Sequence, residues 1–72
     1  MGAAIRRIRQ EHKPRITLED LSGRLAVRGL YLDRTALSRI ENGERAVFDF
    51  EVLAIAAALR VPLTELYRND AR

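Results

Sequence analysis

The chain has 72 residues, a formal net charge of +3 and no cysteine. It is therefore short enough for a single domain over residues 1–72, and neither disulfides nor thiolate metal sites can support its fold. No apolar run approaches the roughly 20 residues that a membrane-spanning helix needs, and the N-terminal segment lacks a secretory signal, so we expect a cytoplasmic protein with no membrane partner.

Basic residues are concentrated in the first part of the chain. Residues 1–45 contain ten basic and six acidic residues, whereas residues 46–72 contain three basic and four acidic ones. Twelve of the thirteen basic residues are arginine, whose planar guanidinium suits phosphate and guanine. This distribution favours an anionic partner such as nucleic acid. An arginine-rich surface that reflects a biased genome is the alternative, and charge alone does not separate the two.

Five short helices and no strand are predicted from the spacing of the apolar residues. No segment alternates apolar and polar residues as a half-buried strand does. The predicted helices span, in chain order, residues 2–13, 18–28, 34–42, 50–60 and 63–69. The predicted fold class is therefore all-α, a compact bundle of five short helices.

The three central helices share one start signal. In each, a residue suited to N-capping follows an apolar residue, and a second apolar residue comes four positions after the cap, as in a hydrophobic staple. The predicted caps are Thr17, Asp33 and Asp49. The apolar pairs around them are Ile16 with Leu21, Leu32 with Leu37, and Phe48 with Leu53. Asp20, three residues after the first cap, completes a capping box.

The same spacing assigns an inward face and an end to each helix. Pro14 ends the first helix, and Gly29 and the Asn42-Gly43 pair end the second and third. Gly23, inside the second helix, costs about 1 kcal/mol relative to alanine, which a close helix crossing there would explain. The residues predicted to face inward are Ile5, Ile8, His12, Leu18, Leu21, Leu25, Val52, Leu53, Ala56, Leu59, Leu63, Leu66 and Tyr67.

The third predicted helix, RTALSRIEN, separates its residues by polarity. At about 100° per residue, Ala36, Leu37 and Ile40 lie together on one side. The opposite side holds only arginine, hydroxyl and amide side chains, those of Arg34, Thr35, Ser38, Arg39 and Asn42. Such groups bind phosphates and base edges, and arginine can bridge O6 and N7 of guanine. An ordinary amphipathic helix with a positive outer face is the alternative.

Most of the chain resembles the phage Cro/repressor-type helix-turn-helix family, often called XRE-type. The resemblance covers about residues 5–67 and runs through ITLEDLSGRL and LDRTALSRIENGERAVFDFEVLAIAAALRVPLTELY, with TALSRIENGER as its strongest block. It implies a lambda-repressor-like fold whose third helix enters the major groove of double-stranded DNA. It also implies a repressor-like transcriptional regulator without cofactor or metal, and it leaves a homodimer open.

The resemblance also implies roles for individual residues. The base-contacting positions of the family are occupied here by Arg34, Thr35, Ser38 and Arg39. Its phosphate-contacting positions are occupied by Thr17, Asn42 and Arg45. Asp33 caps the recognition helix. Glu41 matches an acidic position that in some members pairs with an arginine of the first helix, and Arg9 is the candidate partner here.

Three features depart from the family pattern. Leu18 stands where the family often has a phosphate-binding glutamine. The turn within AVRGLYLD is about four residues longer than the usual one, so either the second helix extends or the loop bulges with Tyr31 packed beneath it. The connection KPRI is one residue too long for the family pattern, which leaves the register of Arg9 open.

One alternative function stays open and another is not expected. A protein-interaction or antitoxin-like module that keeps the fold without specific DNA readout would use Phe48, Phe50 and Tyr67 as an interface, although the place of Phe48 before Asp49 favours a staple. The fifth helix and the tail NDAR are candidates for a dimer contact. An enzyme or metal site is not expected, because His12 is the one histidine and the sequence has no nucleophile motif or phosphate loop.

Overall fold

A computed structural model describes residues 1–67 of the chain. Within that range it contains five helices and no strand: α1 (Gly2–Glu11), α2 (Leu18–Val27), α3 (Arg34–Glu41), α4 (Asp49–Leu59) and α5 (Leu63–Tyr67). The predicted all-α bundle is confirmed. None of these helices has the length and apolar character to cross a bilayer. The end of the fifth predicted helix, residues 68–69, and the tail NDAR lie outside the described residues.

Side chains cap the starts of α2 and α3, and glycines end both helices. Thr17 Oγ1 accepts a hydrogen bond from the Asp20 N–H at 3.0 Å, and the Asp20 carboxylate accepts one from the Thr17 N–H at 3.1 Å. Asp33 Oδ1 accepts from the N–H three residues later at 2.8 Å. Gly29 and Gly43 follow the two helices in the left-handed conformation, with φ of 84° and 77°, which a residue with a Cβ adopts at a cost.

The start of α4 differs from the prediction. The helix begins at Asp49, so Phe48 is the N-cap residue and the prediction that Asp49 caps the helix is wrong. Glu51 provides the capping hydrogen bond, because its Oε1 accepts from the Phe48 N–H at 3.0 Å. The carboxylate inside the first turn thus replaces the polar cap side chain that the sequence pattern was expected to supply.

The apolar pair that packs at the start of α4 is one residue earlier in the chain than predicted, as is the cap. Val47 packs against the core and Val52 is buried, whereas the predicted pair, Phe48 and Leu53, is exposed. Leu53 is therefore wrongly predicted to face inward, and Ile55 is buried instead. Because α4 is apolar on nearly every side, residue spacing alone could not select its buried face.

The core is formed where α2 packs against α3 and α4, and α1 packs against α3 and α5. Its fully buried large side chains are Ile5, Ile16, Leu21, Leu25, Leu37, Ile40, Ile55, Leu59 and Leu66. Tyr67, predicted to face inward, is exposed. The described helices therefore share one continuous apolar core, and α3 contributes one side to it.

The turn between α2 and α3, residues 28–33, is a lengthened loop that packs partly against the core. Leu30 packs against the core and Leu32 is buried, and the Ser22 Oγ donates to the Leu32 carbonyl at 2.8 Å. Tyr31, between them, is exposed, so the prediction that it packs beneath the loop is wrong. Because Leu30 and Leu32 point towards the core, the Tyr31 side chain between them points towards solvent. The extra residues lengthen the loop, since α2 already ends at Val27.

Gly23 lies exposed in the middle of α2, and we expect its replacement by alanine to stabilise the protein. A Cβ at this position would have nothing within 4 Å, so no close helix crossing requires the glycine. Removal of a glycine from an exposed helix interior should raise the free energy of unfolding by about 1 kcal/mol, or about 4–8 °C in Tm for a domain of this size. Thermal unfolding followed by circular dichroism measures the change.

Gly2→Ala is the matched control for Gly23→Ala. A Cβ on Gly2 would collide with the backbone carbonyl of Ile40, so this variant should unfold at a lower temperature than the wild type. If Gly23→Ala did not raise the Tm, the open space around Gly23 would not predict the effect of this substitution on the stability of the protein.

Candidate nucleic-acid interface

The apolar side of α3 faces the core and its polar side faces outward. Leu37 and Ile40 are buried, while Arg34, Thr35 and Arg39 are exposed and Ser38 is half-buried. All four predicted base-contacting residues line one shallow groove of about 390 Å³, which is bordered by Glu44. The structure therefore brings these four side chains together on one open surface, which we call the α3 groove.

The two arginines of the α3 groove differ in their partners. Arg34 Nη1 lies 3.3 Å from Glu19 Oε2, and both side chains are largely exposed, at 70% and 68%. Such a surface pair contributes about 0–1 kcal/mol, so Arg34 can exchange it for another anion. Arg39 makes no side-chain hydrogen bond or ion pair within residues 1–67. The donors of its guanidinium are therefore available to a ligand.

Two carboxylates that were not predicted are associated with the α3 groove: Glu44 lines it, and Glu19 pairs with Arg34. Glu19 comes from the first turn of α2 and Glu44 from the segment after α3. The left-handed turn at Gly43 folds the chain back, so that the Glu44 N–H donates to the Arg39 carbonyl at 2.8 Å. The order Asn-Gly-Glu after the helix was the signal for Glu44, because a left-handed glycine returns the chain over the helix end. The groove is consequently not uniformly positive.

A buried ion pair holds α3 against α1. Glu41 and Arg9 are 6% and 8% exposed. Arg9 Nε donates to Glu41 Oε2 at 2.8 Å and Arg9 Nη2 to Oε1 at 2.9 Å, while Nη1 donates to the Ile16 carbonyl at 3.0 Å. The predicted pairing of Glu41 with Arg9 is confirmed. Because a two-bond fork has a defined geometry, it sets the orientation of α3 relative to α1.

The fold and the α3 groove agree with one protein family. A family model described as helix-turn-helix matches residues 5–66. The chain belongs to the XRE-type helix-turn-helix family. It is thus a helix-turn-helix DNA-binding domain, in which α2 and α3 form the helix-turn-helix unit. In helix-turn-helix proteins the second helix of the unit is called the recognition helix, and α3 has that place here. No curated protein and no solved structure matches the chain significantly.

Asn42, a predicted phosphate contact, lies exposed directly after the recognition helix. Its Oδ1 accepts from Arg6 Nη2, and Arg6 Nε donates to Glu41 Oε1 at 3.2 Å. The amide group of Asn42 thereby keeps its two donors for a ligand. Sequence reasoning did not single out Arg6, whose side chain is 43% exposed, because only the packing of α1 on α3 brings it to the end of the recognition helix.

Thr17, the second predicted phosphate contact, lies exposed at the start of α2 of the helix-turn-helix unit. Its Oγ1 accepts the capping hydrogen bond from the Asp20 N–H, and the Thr17 side chain also contacts the Asp20 carboxylate. The Thr17 backbone N–H donates to the Asp20 carboxylate and lowers the pKa of Asp20. The Asp20 carboxylate therefore lies beside this hydroxyl, and the phosphate contact predicted for Thr17 has to form despite repulsion from that carboxylate.

Arg45, the third predicted phosphate contact, is bound to Glu51. Its Nη1 and Nη2 donate to Glu51 Oε1 and Oε2 at 3.0 and 2.9 Å, and Glu51 is buried. These hydrogen bonds hold the pKa of Glu51 below its usual value, although burial acts in the opposite direction. Arg45 does not line the α3 groove. Its ion pair with Glu51 stabilises the start of α4, and the phosphate contact predicted for Arg45 stays a prediction.

Proposed function

We propose that this helix-turn-helix domain binds a specific double-stranded DNA sequence and acts as a repressor-like regulator of transcription. The observation that supports this most directly is the state of Arg39. Its side chain is exposed on the outer side of the recognition helix and has no partner within the described residues. An unpaired guanidinium on such a helix matches O6 and N7 of guanine in the major groove.

The proposed base contacts use the whole α3 groove. Arg39 and Arg34 donate to guanine, and Arg34 exchanges its weak pair with Glu19 for the base. Thr35 and Ser38 offer hydroxyls, and the threonine methyl suits the methyl of thymine. Glu44 accepts from the amino group of cytosine and repels phosphate, which disfavours binding to unrelated sequences.

The proposed phosphate contacts lie at the two ends of the helix-turn-helix unit. The amide of Asn42 and the hydroxyl of Thr17 donate to phosphate oxygens, and Arg6 adds a charge beside Asn42. These contacts set the register of the domain on the duplex but do not distinguish bases. Because arginine contacts release counterions, affinity should fall as salt concentration rises.

Selection of bound sequences from random duplex DNA tests the proposal. A common enriched motif whose binding weakens with salt is the expected result. Absence of an enriched motif, together with absence of binding at low salt, would instead favour a protein-interaction or antitoxin-like module. The carboxylates of Glu19 and Glu44 near the groove favour this second candidate function, because they repel DNA phosphates.

We further propose that two copies bind side by side through an exposed apolar surface at the start of α4. Phe48, Phe50 and Leu53 are 59%, 63% and 57% exposed, and the two phenyl rings stack with centroids 6.0 Å apart. The domain is 31 Å across its longest axis. Half-sites one helical turn apart place the centres of two copies about 34 Å apart, which is close to the length of the domain, so an exposed apolar surface can bring neighbouring copies into contact. We call these three residues the aromatic surface.

The size of the aromatic surface favours pairing on DNA over a stable dimer in solution. Three such side chains expose roughly 300–400 Å² per copy, given the area that an aromatic residue can bury. Two copies would bury less than the roughly 1,200 Å² of a stable interface. Cooperative binding to paired half-sites is therefore the expected behaviour.

Phe50→Ser should remove the cooperativity without weakening binding to a single half-site. Loss of one exposed aromatic contact between copies should reduce the gain from a second half-site by about tenfold. Titration of duplexes that carry one or two half-sites measures this gain. Tyr31→Ser is the control, because Tyr31 is an exposed aromatic residue, at 80%, outside the surface. Full cooperativity of Phe50→Ser would exclude this surface as the contact between copies.

A further inference from the structure

Three arginines line a cleft between the C-terminal ends of α2 and α4. The cleft has a volume of about 700 Å³ and contains no acidic residue; its lining side chains are Arg24, Val27, Arg28, Ala57, Ala58 and Arg60. We propose that this arginine cleft binds an acidic segment of a protein partner, one in which carboxylates flank an apolar residue.

The arginines of the cleft keep most of their donors. Arg24 Nη1 donates to the Ala58 carbonyl at 3.0 Å, and Arg28 Nη2 donates to the Ala57 carbonyl at 3.5 Å. Arg60 makes no side-chain hydrogen bond or ion pair within residues 1–67. A guanidinium has five N–H donors. Arg24 and Arg28 each use one nitrogen to cap a carbonyl of α4, and Arg60 uses none. The remaining donors are available to carboxylates.

The backbone of Arg60 gives a second reason to connect this side chain with the cleft. Arg60 ends α4 in the left-handed conformation, with φ 60° and ψ 43°. The Val61 N–H then donates to the Ala56 carbonyl at 3.1 Å, as in helix ends that usually contain glycine here. Glycine would end the helix in the same way with less backbone strain. The helix end therefore does not require an arginine, and Arg60 adds a third guanidinium to the lining of the cleft.

The position of the cleft favours a protein partner over a second contact with DNA. At the other end of α2, Glu19 contacts Arg34 of the recognition helix. Arg28 follows Glu19 by nine residues, which is about 13 Å along a helix, so a duplex on the recognition helix lies at the opposite end of α2. The cleft therefore lies away from the proposed base contacts.

The apolar rim of the cleft favours a peptide over a bare anion. Val27 lines the cleft and is 89% exposed, and the methyl group of Ala57 lies in the same lining. A phosphate or a nucleic-acid backbone would leave these apolar groups in water. A peptide can pair its carboxylates with arginine forks and bury an apolar side chain on Val27.

Amide chemical shifts of the isotope-labelled full chain test the proposal, with a short synthetic peptide of glutamate, aspartate and leucine as the probe. The expected result is saturable shift changes at residues 24–28 and 57–61, with none at residues 34–39. A glutamine version of the peptide should cause no change. No saturable change in the cleft with the acidic peptide, or equal changes at every surface arginine, would overturn the proposal.

Variants that remove two charges separate the cleft from general attraction. Arg28→Gln combined with Arg60→Gln should weaken peptide binding by about tenfold, because two charge-assisted hydrogen-bonding groups are lost. Arg7→Gln combined with Arg15→Gln is the matched control and should change the affinity less than about twofold, since it removes the same charge outside the cleft. Equal weakening by both pairs would show charge attraction alone and refute a built site.

A duplex without the selected DNA motif and inorganic phosphate are the remaining probes. Neither should shift the cleft resonances at concentrations at which the acidic peptide saturates them. If the duplex displaced the peptide from the cleft, the cleft would be a surface for the DNA backbone and the proposal would fail. Binding of the peptide is measured without DNA, so its failure is independent of whether the recognition helix binds a specific sequence.

Discussion

Glu41→Ala is expected to remove much of the stability of this domain, about 3–5 kcal/mol. The substitution leaves the guanidinium of Arg9 buried without the two hydrogen bonds that it donates to the carboxylate. A chain of this length is stable by roughly 4–11 kcal/mol in total, so the variant should unfold at a far lower urea concentration. Urea denaturation followed by circular dichroism measures the free energy of unfolding.

Two further variants separate the cost of an unpaired charge from the value of the pair. Glu11→Ala breaks the exposed ion pair between Arg7 and Glu11 and should change the stability by less than about 1 kcal/mol. Arg9→Met combined with Glu41→Leu removes both buried charges and should recover much of the stability that Glu41→Ala loses. If Glu41→Ala were no more destabilised than Glu11→Ala, the buried pair would not be what holds α3 against α1.

Arg39→Ala is expected to weaken binding to the selected DNA site by about 5- to 150-fold and to relax the base preference at one position. These factors correspond to about 1–3 kcal/mol for the loss of one arginine–guanine contact. Because Arg39 has no side-chain partner within the described residues, its removal should leave the stability nearly unchanged. Fluorescence anisotropy with the selected duplex and its single-base variants measures both effects.

Arg39→Lys and Arg28→Ala are the controls for this experiment. Lysine retains the charge but not the planar fork, so Arg39→Lys should keep the salt dependence while losing much of the base preference. Arg28 is an exposed arginine at the opposite end of α2, and Arg28→Ala should leave site-specific binding unchanged. Unaltered affinity and base preference of Arg39→Ala would remove Arg39 from the proposed base contacts.

Local interactions explain why the elements of the helix-turn-helix unit could be predicted. The caps at Thr17 and Asp33 involve residues three positions apart, and the left-handed glycines involve one helical turn. The same holds for the outward side of α3, since helix geometry alone places Arg34 and Arg39 away from Leu37. These caps, turns and helix faces depend only on residues close together in the sequence, so they could be predicted from it.

The errors in α4 concern its start and its buried face, where the sequence is compatible with more than one choice. At the start of α4, Phe48 and Asp49 could both be the cap, and the helix is apolar on nearly every side. The choice depends on packing of Val47 against the core and on the carboxylate of Glu51, which also binds Arg45. The sequence pattern did not reveal that ion pair, and the predicted phosphate contact of Arg45 stays a prediction.

The amino-acid sequence by itself determined the helices, the caps of α2 and α3, and the set of side chains on the outer face of the recognition helix, because these depend on residues within one or two turns. Only the tertiary structure decided which charges are neutralised and which stay available. The pairing of Arg9 with Glu41 was expected from the family resemblance, but the contact of Arg6 with Glu41, 35 positions away, was not, and the cleft joins the ends of α2 and α4. Charge pairing over such separations depends on how helices pack, and packing follows from apolar burial throughout the chain.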